Sequence, residues 1–202
     1  MRVLLQAAPD HPLAAALAGL GLEVARDDLA ADGLVTVPPP VELLPLAQLE
    51  PGRWLRTFDA WATEPFFAAQ PWLSAALKRG SGSWVAVTSN LGTQPFPDGG
   101  AAGAGAIALH TLVRVAALEG GPRGVRANVV APGWSASSLP SELDSGVAVS
   151  DTPLRRLAGV ADVAETVAWL LSSASAHVTG EVIRVDGGYT ITRGSRTDPR
   201  KE

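Results

Sequence analysis

The run Gly124-Val-Arg-Ala-Asn-Val-Val-Ala-Pro-Gly133 decides how this 202-residue chain is read. Arg126–Ala131 reads as a strand, and Pro132-Gly133 closes it. Downstream lie Pro153-Leu-Arg-Arg-Leu-Ala-Gly159 and Val178-Thr-Gly-Glu-Val-Ile-Arg-Val-Asp-Gly-Gly188, whose Glu181–Val185 reads as a last strand. Between these two runs, Val160–Ser172 has a helical period. Upstream, Ser83–Ser89 reads as a strand and Ala101–Glu119 as a long helix. Trp54–Lys78 is helical in character, and Pro65 and Pro71 are expected to kink or divide it. At the N-terminus, Arg2–Gln6 reads as a buried strand and Leu13–Leu20 as a helix stopped by Gly19 and Gly21. Leu22–Arg26 and Gly33–Val37 follow as strands, the latter stopped by Pro38-Pro39-Pro40. About six residues separate these two strands, too few for a crossover helix. Residues 134–152 read as a loop without period, and 191–202 as a polar, flexible tail. Strands alternating with helices predict one α/β domain over residues 1–190, a parallel sheet covered on both faces.

The three runs, in this order and spacing, resemble the short-chain dehydrogenase/reductase family, especially its acyl-carrier-protein ketoreductase-like members. The resemblance is strong from about Arg53 to Tyr189, weak over 1–26 and nearly absent over 27–52. It implies a Rossmann-like, doubly wound parallel sheet, shortened here between the second and fourth strands of the family fold.

The resemblance also implies a nucleotide site, and three parts of that site are eroded. Where the family carries glycines that let the backbone meet a pyrophosphate, this chain has Ala7, His11 and Leu13. His11 is either a phosphate contact or, by default, a surface turn histidine beside Asp10. Asp27 and Asp28 follow the second strand, either as ribose-binding acids or, by default, as solvated turn residues. The family's Asn-Asn-Ala-Gly segment is replaced by Thr36-Val-Pro-Pro39, and prolines remove backbone donors. No cofactor is expected to bind.

The family's reaction needs a tyrosine and a lysine four residues apart on one helix face; the lysine lowers the phenol pKa so that the tyrosine can move a proton. Counted back from Gly124, these positions hold Ala102 and Ala106, and neither transfers a proton. Ser89 matches the family's serine, a vestigial catalytic match, and its default reading is a hydroxyl satisfied at a strand end. The family's asparagine position holds Trp61, which is expected to fill the former cleft. His110 lies eight residues after Ala102, about 12 Å along the helix, so a displaced Ser89–His110 pair is the weaker reading. Trp134 begins the loop that caps substrate in relatives and is a candidate substrate-loop residue.

Trp54, Trp61 and Trp72 share one face if their helix stays regular. In the family, helices corresponding to 53–79 and 101–119 meet across a two-fold axis, and the last strand forms a second contact. The candidate interface residues are therefore Trp72, Leu109, Leu112, Val115, Leu118, Val185 and Tyr189, the single tyrosine.

Composition removes other classes of function. With no cysteine there are no disulfides or thiolate metal sites, and His11, His110 and His177 are too scattered for zinc, so no metal is expected. A net charge of −4 without a basic stripe argues against nucleic acid. No 18-residue apolar span or signal-peptide core is evident, which predicts a cytoplasmic protein and no membrane partner. The leading expectation is a catalytically inactive subunit that assembles with an active, homologous full-length reductase in a hetero-oligomer, or self-associates through helices 53–79 and 101–119. The alternatives are a cofactor-independent cyclase, dehydratase or dehalogenase-like enzyme on the same scaffold, and a weak NADPH-dependent reductase.

Overall fold

The computed structural model describes residues 1–40, 42–136, 138–139 and 145–192. Six parallel strands form one sheet in the order β2-β1-β3-β4-β5-β6. They are β1 (Arg2–Gln6), β2 (Glu23–Ala25), β3 (Gly33–Thr36), β4 (Gly82–Val87), β5 (Val125–Pro132) and β6 (Val182–Val185). The apolar runs of β1, β3, β4 and β5 are buried, as a parallel sheet covered by helices requires, whereas the outer strands β2 and β6 are only half-buried. Helices α1 (Leu13–Gly19) and α6 (Val160–Leu171) cover one face, packing on Val3, Leu5, Val35, Val85 and Val130. Helices α3 (Glu64–Arg79) and α4 (Gly100–Gly120) cover the other, around Leu34, Trp72, Trp84, Leu109 and Val129. The doubly wound architecture expected from the sequence is therefore present.

The connection from β2 to β3 is a helix-free return over residues 26–32. It is pinned at both ends of its second half. The carbonyl of buried Ala31 accepts from Trp72 Nε1 at 2.9 Å and from the Arg79 guanidinium at 3.1 Å. Asp32 accepts from the backbone N–H of Arg2 at 3.0 Å. Asp28 bonds the amide of Ala30 and pairs with Arg2, which accounts for it as a turn residue.

Helix α2 (Pro51–Phe58) runs into α3 through a π-helical turn at Asp59–Thr63. A π turn adds a residue to the ladder, and it places Pro65 in the first turn of α3, where its missing N–H costs little. The extra residue turns the downstream helix by about 100°, so the expected shared tryptophan face is corrected. Trp54 is exposed, Trp61 joins a cluster at one end of the sheet, and Trp72 lies in the core. The loop expected over 134–152 contains a short helix, α5 (Ser145–Asp151), too brief to show a period. Ile191 and Thr192, expected as the start of a tail, belong to helix α7 (Tyr189–Thr192), whose Thr192 hydroxyl donates to the Asp151 carbonyl. Residues 193–202 lie outside the described residues.

By length and composition, the stretch Gly100–Arg123 is apolar enough to cross a membrane, which corrects the expectation that no such span exists. Its high alanine and glycine content serves another purpose here: more than half of the stretch is buried, packed on β5 and beneath the π turn.

Candidate functional site

At the C-terminal ends of the strands a third apolar cluster gathers Trp61, Leu91, Ala102, Ala106, Trp134 and Tyr189. Ala102 and Ala106 are 2 % and 0 % exposed. The helix carrying Trp61 comes this close because Gly105 has no side chain: a Cβ there would lie 2.7 Å from that of Trp61. Trp61 and Trp134 are 8 % and 6 % exposed, and Phe96 meets the Trp134 ring edge-on at 4.9 Å. Neither indole N–H has a hydrogen-bond partner. A buried donor left in this way costs about 1–3 kcal/mol.

Beside this filled region a cleft of about 570 Å³ remains. Its floor is made by Thr88 and Ser89 after β4 and by Pro132–Trp134 after β5. One wall is the Val37–Pro40 segment after β3, and His11 and Leu13 form its far end. Gly133 allows the β5 end to approach the turn after β6, since a Cβ there would sit 2.7 Å from that of Asp186.

Ser89 is occupied locally. Its hydroxyl accepts from the amide of Leu91 at 3.2 Å, capping a short 3-10 turn, and donates to Asn90 Oδ1 at 3.3 Å. His110 does not pair with Ser89; its Nε2 lies 2.9 Å from the hydroxyl of Thr88. Burial, with a smaller contribution from Arg114, lowers the His110 pKa to about 4, so the ring is neutral at physiological pH. The sequence reading missed Thr88. The signal was its place directly before Ser89, facing the helix position eight residues beyond Ala102.

The end of the cleft where a pyrophosphate would sit offers no anion site. His11 is the turn histidine expected, its N–H donating to the Ala8 carbonyl at 3.0 Å, and it is half-buried where it lines the cleft. Its Nδ1 accepts the amide of Leu13 at 3.2 Å, and its carbonyl accepts the amide of Ala14 at 3.0 Å. Pro12 has no N–H to give. Burial, reinforced by Arg26, lowers the His11 pKa and disfavours its charged form. Arg26 is itself spent on the carbonyls of Ala7, Ala8 and Pro9. No lysine or arginine is among the described residues lining the cleft. The residues present do not fit a dinucleotide.

The expected interface residues divide by exposure. Trp72 and Leu109 are fully buried inside the chain, and Tyr189 is buried in the third cluster, so all three are corrected from contact to core. Trp72 and Leu109 fill space between sheet and helix, and Tyr189 fills space in the cluster at the strand ends. Leu112 and Val185 are half-buried, whereas Val115 and Leu118 are exposed, Leu118 at 77 %. Ile107 on α4, Leu55 on α2 and Phe67 on α3 are exposed as well.

Comparison with known proteins gives consistent relatives. Residues 30–190 match the family model described as enoyl-(acyl carrier protein) reductase. The vibriobactin-specific 2,3-dihydro-2,3-dihydroxybenzoate dehydrogenase of Vibrio cholerae is 35 % identical over 131 residues, 58 % of this chain and 50 % of that protein. The cis-4-hydroxycyclohexanecarboxylate dehydrogenase of Sinomonas cyclohexanicum is 33 % identical over 150 residues, 72 % of this chain and 60 % of that one. The chain thus spans between half and three-fifths of the length of these curated relatives. A crystal structure of a short-chain dehydrogenase/reductase family oxidoreductase from Burkholderia thailandensis superposes with a TM-score of 0.76 at 26 % identity, covering 94 % of this chain and 82 % of that one. The structure of ElxO with NADP bound superposes with a TM-score of 0.79 over 94 % of this chain and 98 % of that one; at 18 % identity it speaks for the fold alone.

Proposed function

The chain belongs to the short-chain dehydrogenase/reductase family, and from that premise we propose that it is a cytoplasmic, catalytically inactive member that assembles with a homologous full-length ketoreductase or dehydrogenase. The observation that carries the reading is on one helix. On its inner side, Ala102 and Ala106 stand where the family's tyrosine and lysine would be, and Trp61 packs against them. Proton transfer at a carbinol oxygen needs an ionisable group within hydrogen-bond reach, and two methyl groups supply none. On its outer side, the same helix exposes Ile107, Val115 and Leu118, and the two helices in contact with it expose Leu55 and Phe67. Large apolar side chains grouped on a surface mark a contact site, and a stable contact buries at least about 1,000 Å² in total.

Light scattering tests this on the chain alone, on a full-length family reductase from the same genome, and on their mixture. A mixed oligomer is expected, lost when Leu118 is replaced (Leu118→Glu), and no NADPH consumption by the chain alone. A monomer that leaves the reductase's mass unchanged refutes the assembly; NADPH-dependent ketone reduction by the chain alone refutes the inactivity.

A second reading, a cofactor-independent enzyme, draws support from the hydroxyls of Thr88 and Ser89 on the floor of an open cleft. If such an activity is detected and survives Ser89→Ala, the serine version of it is removed.

A further inference from the structure

We propose that Asp98-Gly99, directly ahead of α4, is a site of spontaneous covalent modification, where the aspartate cyclises to a succinimide and reopens as isoaspartate. The sequence holds three Asp-Gly pairs, at 32–33, 98–99 and 186–187. Such pairs are open to this rearrangement because glycine has no side chain to hinder its own nitrogen as it nears the neighbouring carboxyl carbon. The fold closes two of them. The Asp32 carboxylate accepts the Arg2 N–H at 3.0 Å, and Gly33 is fixed in β3 between Val3 of β1 and Ser83 of β4. Asp186 is buried, and its two carboxylate oxygens accept the amides of Gly188 and Thr190, each at 2.9 Å.

Asp98 differs from both. It is exposed, and none of the described residues bonds or pairs with its carboxylate. It stands third in the turn Phe96-Pro97-Asp98-Gly99, with φ at 68°, the place where a type II turn takes glycine or asparagine. A residue with a Cβ is strained there, and the surrounding structure has to hold it. The Gly99 N–H donates to the Phe96 carbonyl at 3.1 Å, a single bond at a chain reversal, which opens at lower cost than a strand ladder. Once it opens, the Gly99 nitrogen can attack Cγ of the protonated Asp98 carboxyl. An N–C bond forms, a C–O bond breaks, and the nitrogen's proton leaves with the hydroxyl as water. Water then adds back to the ring. Addition at the main-chain carbonyl carbon breaks its bond to nitrogen, so the chain runs on through Cγ as isoaspartate; addition at Cγ restores aspartate. The isoaspartyl chain is longer by one methylene. Its Asp98 carbonyl, which accepts the Leu44 N–H at 2.9 Å in the native turn, has become a free carboxylate.

The modification and the assembly are independent, and either can fail without the other. The test ages the full chain at mildly acidic pH, folded in one sample and unfolded in urea in a second. Trypsin then places the three Asp-Gly pairs in separate peptides, 27–53, 80–114 and 185–193. Isoaspartate is counted in each by methyl transfer from labelled S-adenosylmethionine with an isoaspartyl methyltransferase, and its position is read by electron-transfer fragmentation. In the folded sample, peptide 80–114 is expected to carry at least about fivefold more isoaspartate than either of the others, placed at Asp98. In urea, where no turn, strand or buried carboxylate remains, the three are expected to agree within about twofold. Asp98→Glu, which keeps the charge but would have to close a six-membered ring, is expected to remove the signal from 80–114. Absence of isoaspartate at Asp98 in the folded chain, equal amounts at the three pairs there, an undiminished excess at Asp98 in urea, or a signal that survives Asp98→Glu would each overturn the proposal.

Discussion

His110 illustrates how a single side chain sets a measurable property of the whole chain. It is buried, bonded through Nε2 to Thr88, and its pKa lies at about 4. In the unfolded chain a histidine titrates near 6.5. Between these values the unfolded state holds a proton that the folded state rejects. Stability is therefore full above about pH 6.5 and falls as the pH drops toward 4, by roughly 3 kcal/mol. Melting temperature followed from pH 8 to pH 4 is expected to show this decline, and His110→Gln, which keeps a polar partner for Thr88, is expected to flatten it. Parallel curves for the two proteins would assign the pH dependence elsewhere. Ser89 offers the contrast: a residue matched to a catalytic position by spacing alone turns out to cap a turn, because its neighbours Asn90 and Leu91 engage its oxygen first.

Among the elements, the pairing of α4 with the π turn is the most constrained. Two effects oppose each other at Gly105. Alanine in a helix interior gains about 1 kcal/mol over glycine, whereas a Cβ at 2.7 Å from that of Trp61 forces two helices apart, costing about 1–3 kcal/mol. The clash is between stiff atoms near the backbone, so Gly105→Ala is expected to destabilise by up to about 2 kcal/mol. Gly121→Ala, with nothing within 4 Å of the added carbon, is expected to be neutral or stabilising. Urea denaturation of both variants reads the difference, and similar midpoints would mean that the contact is soft. The strands and long helices were legible in the sequence because apolar runs and glycine or proline stops are local signals. The π turn was not: Pro65 and Pro71 announced a disturbance, but only packing on α4 decides that the ladder takes in an extra residue instead of breaking. The consequence, separating Trp61 from Trp72, was invisible for the same reason.

Across the whole molecule, two sheet faces are closed by conventional cores, and the site lies where they end. Loss of the family's proton-transfer pair could be counted off in the sequence, since it depends only on spacing from Gly124. The persistence of a cleft could not, because it depends on how segments at the ends of four different strands converge on one space. Spacing puts Leu109 and Leu118, nine residues or two and a half turns apart, on opposite sides of one helix, but which side is buried is decided by what the sheet covers.

The helix-free return over residues 26–32 has a consequence for solubility. It leaves β2 as the last strand of the sheet, paired on one side only, over the three residues Glu23–Ala25. An open strand edge invites a second chain to add to it, and proteins that avoid such fibrous growth keep their edges short and charged. Both devices are present. The edge is three residues long, and its Glu23 is held by Arg2 at 3.0 Å, so an arriving strand meets a charged pair rather than an apolar ladder. Glu23→Val is expected to leave the fold intact while lowering the concentration at which the protein forms thioflavin-positive aggregates; an unchanged threshold would place the guard elsewhere. A chain that shortened its sheet thus also had to make its new margin unattractive to copies of itself.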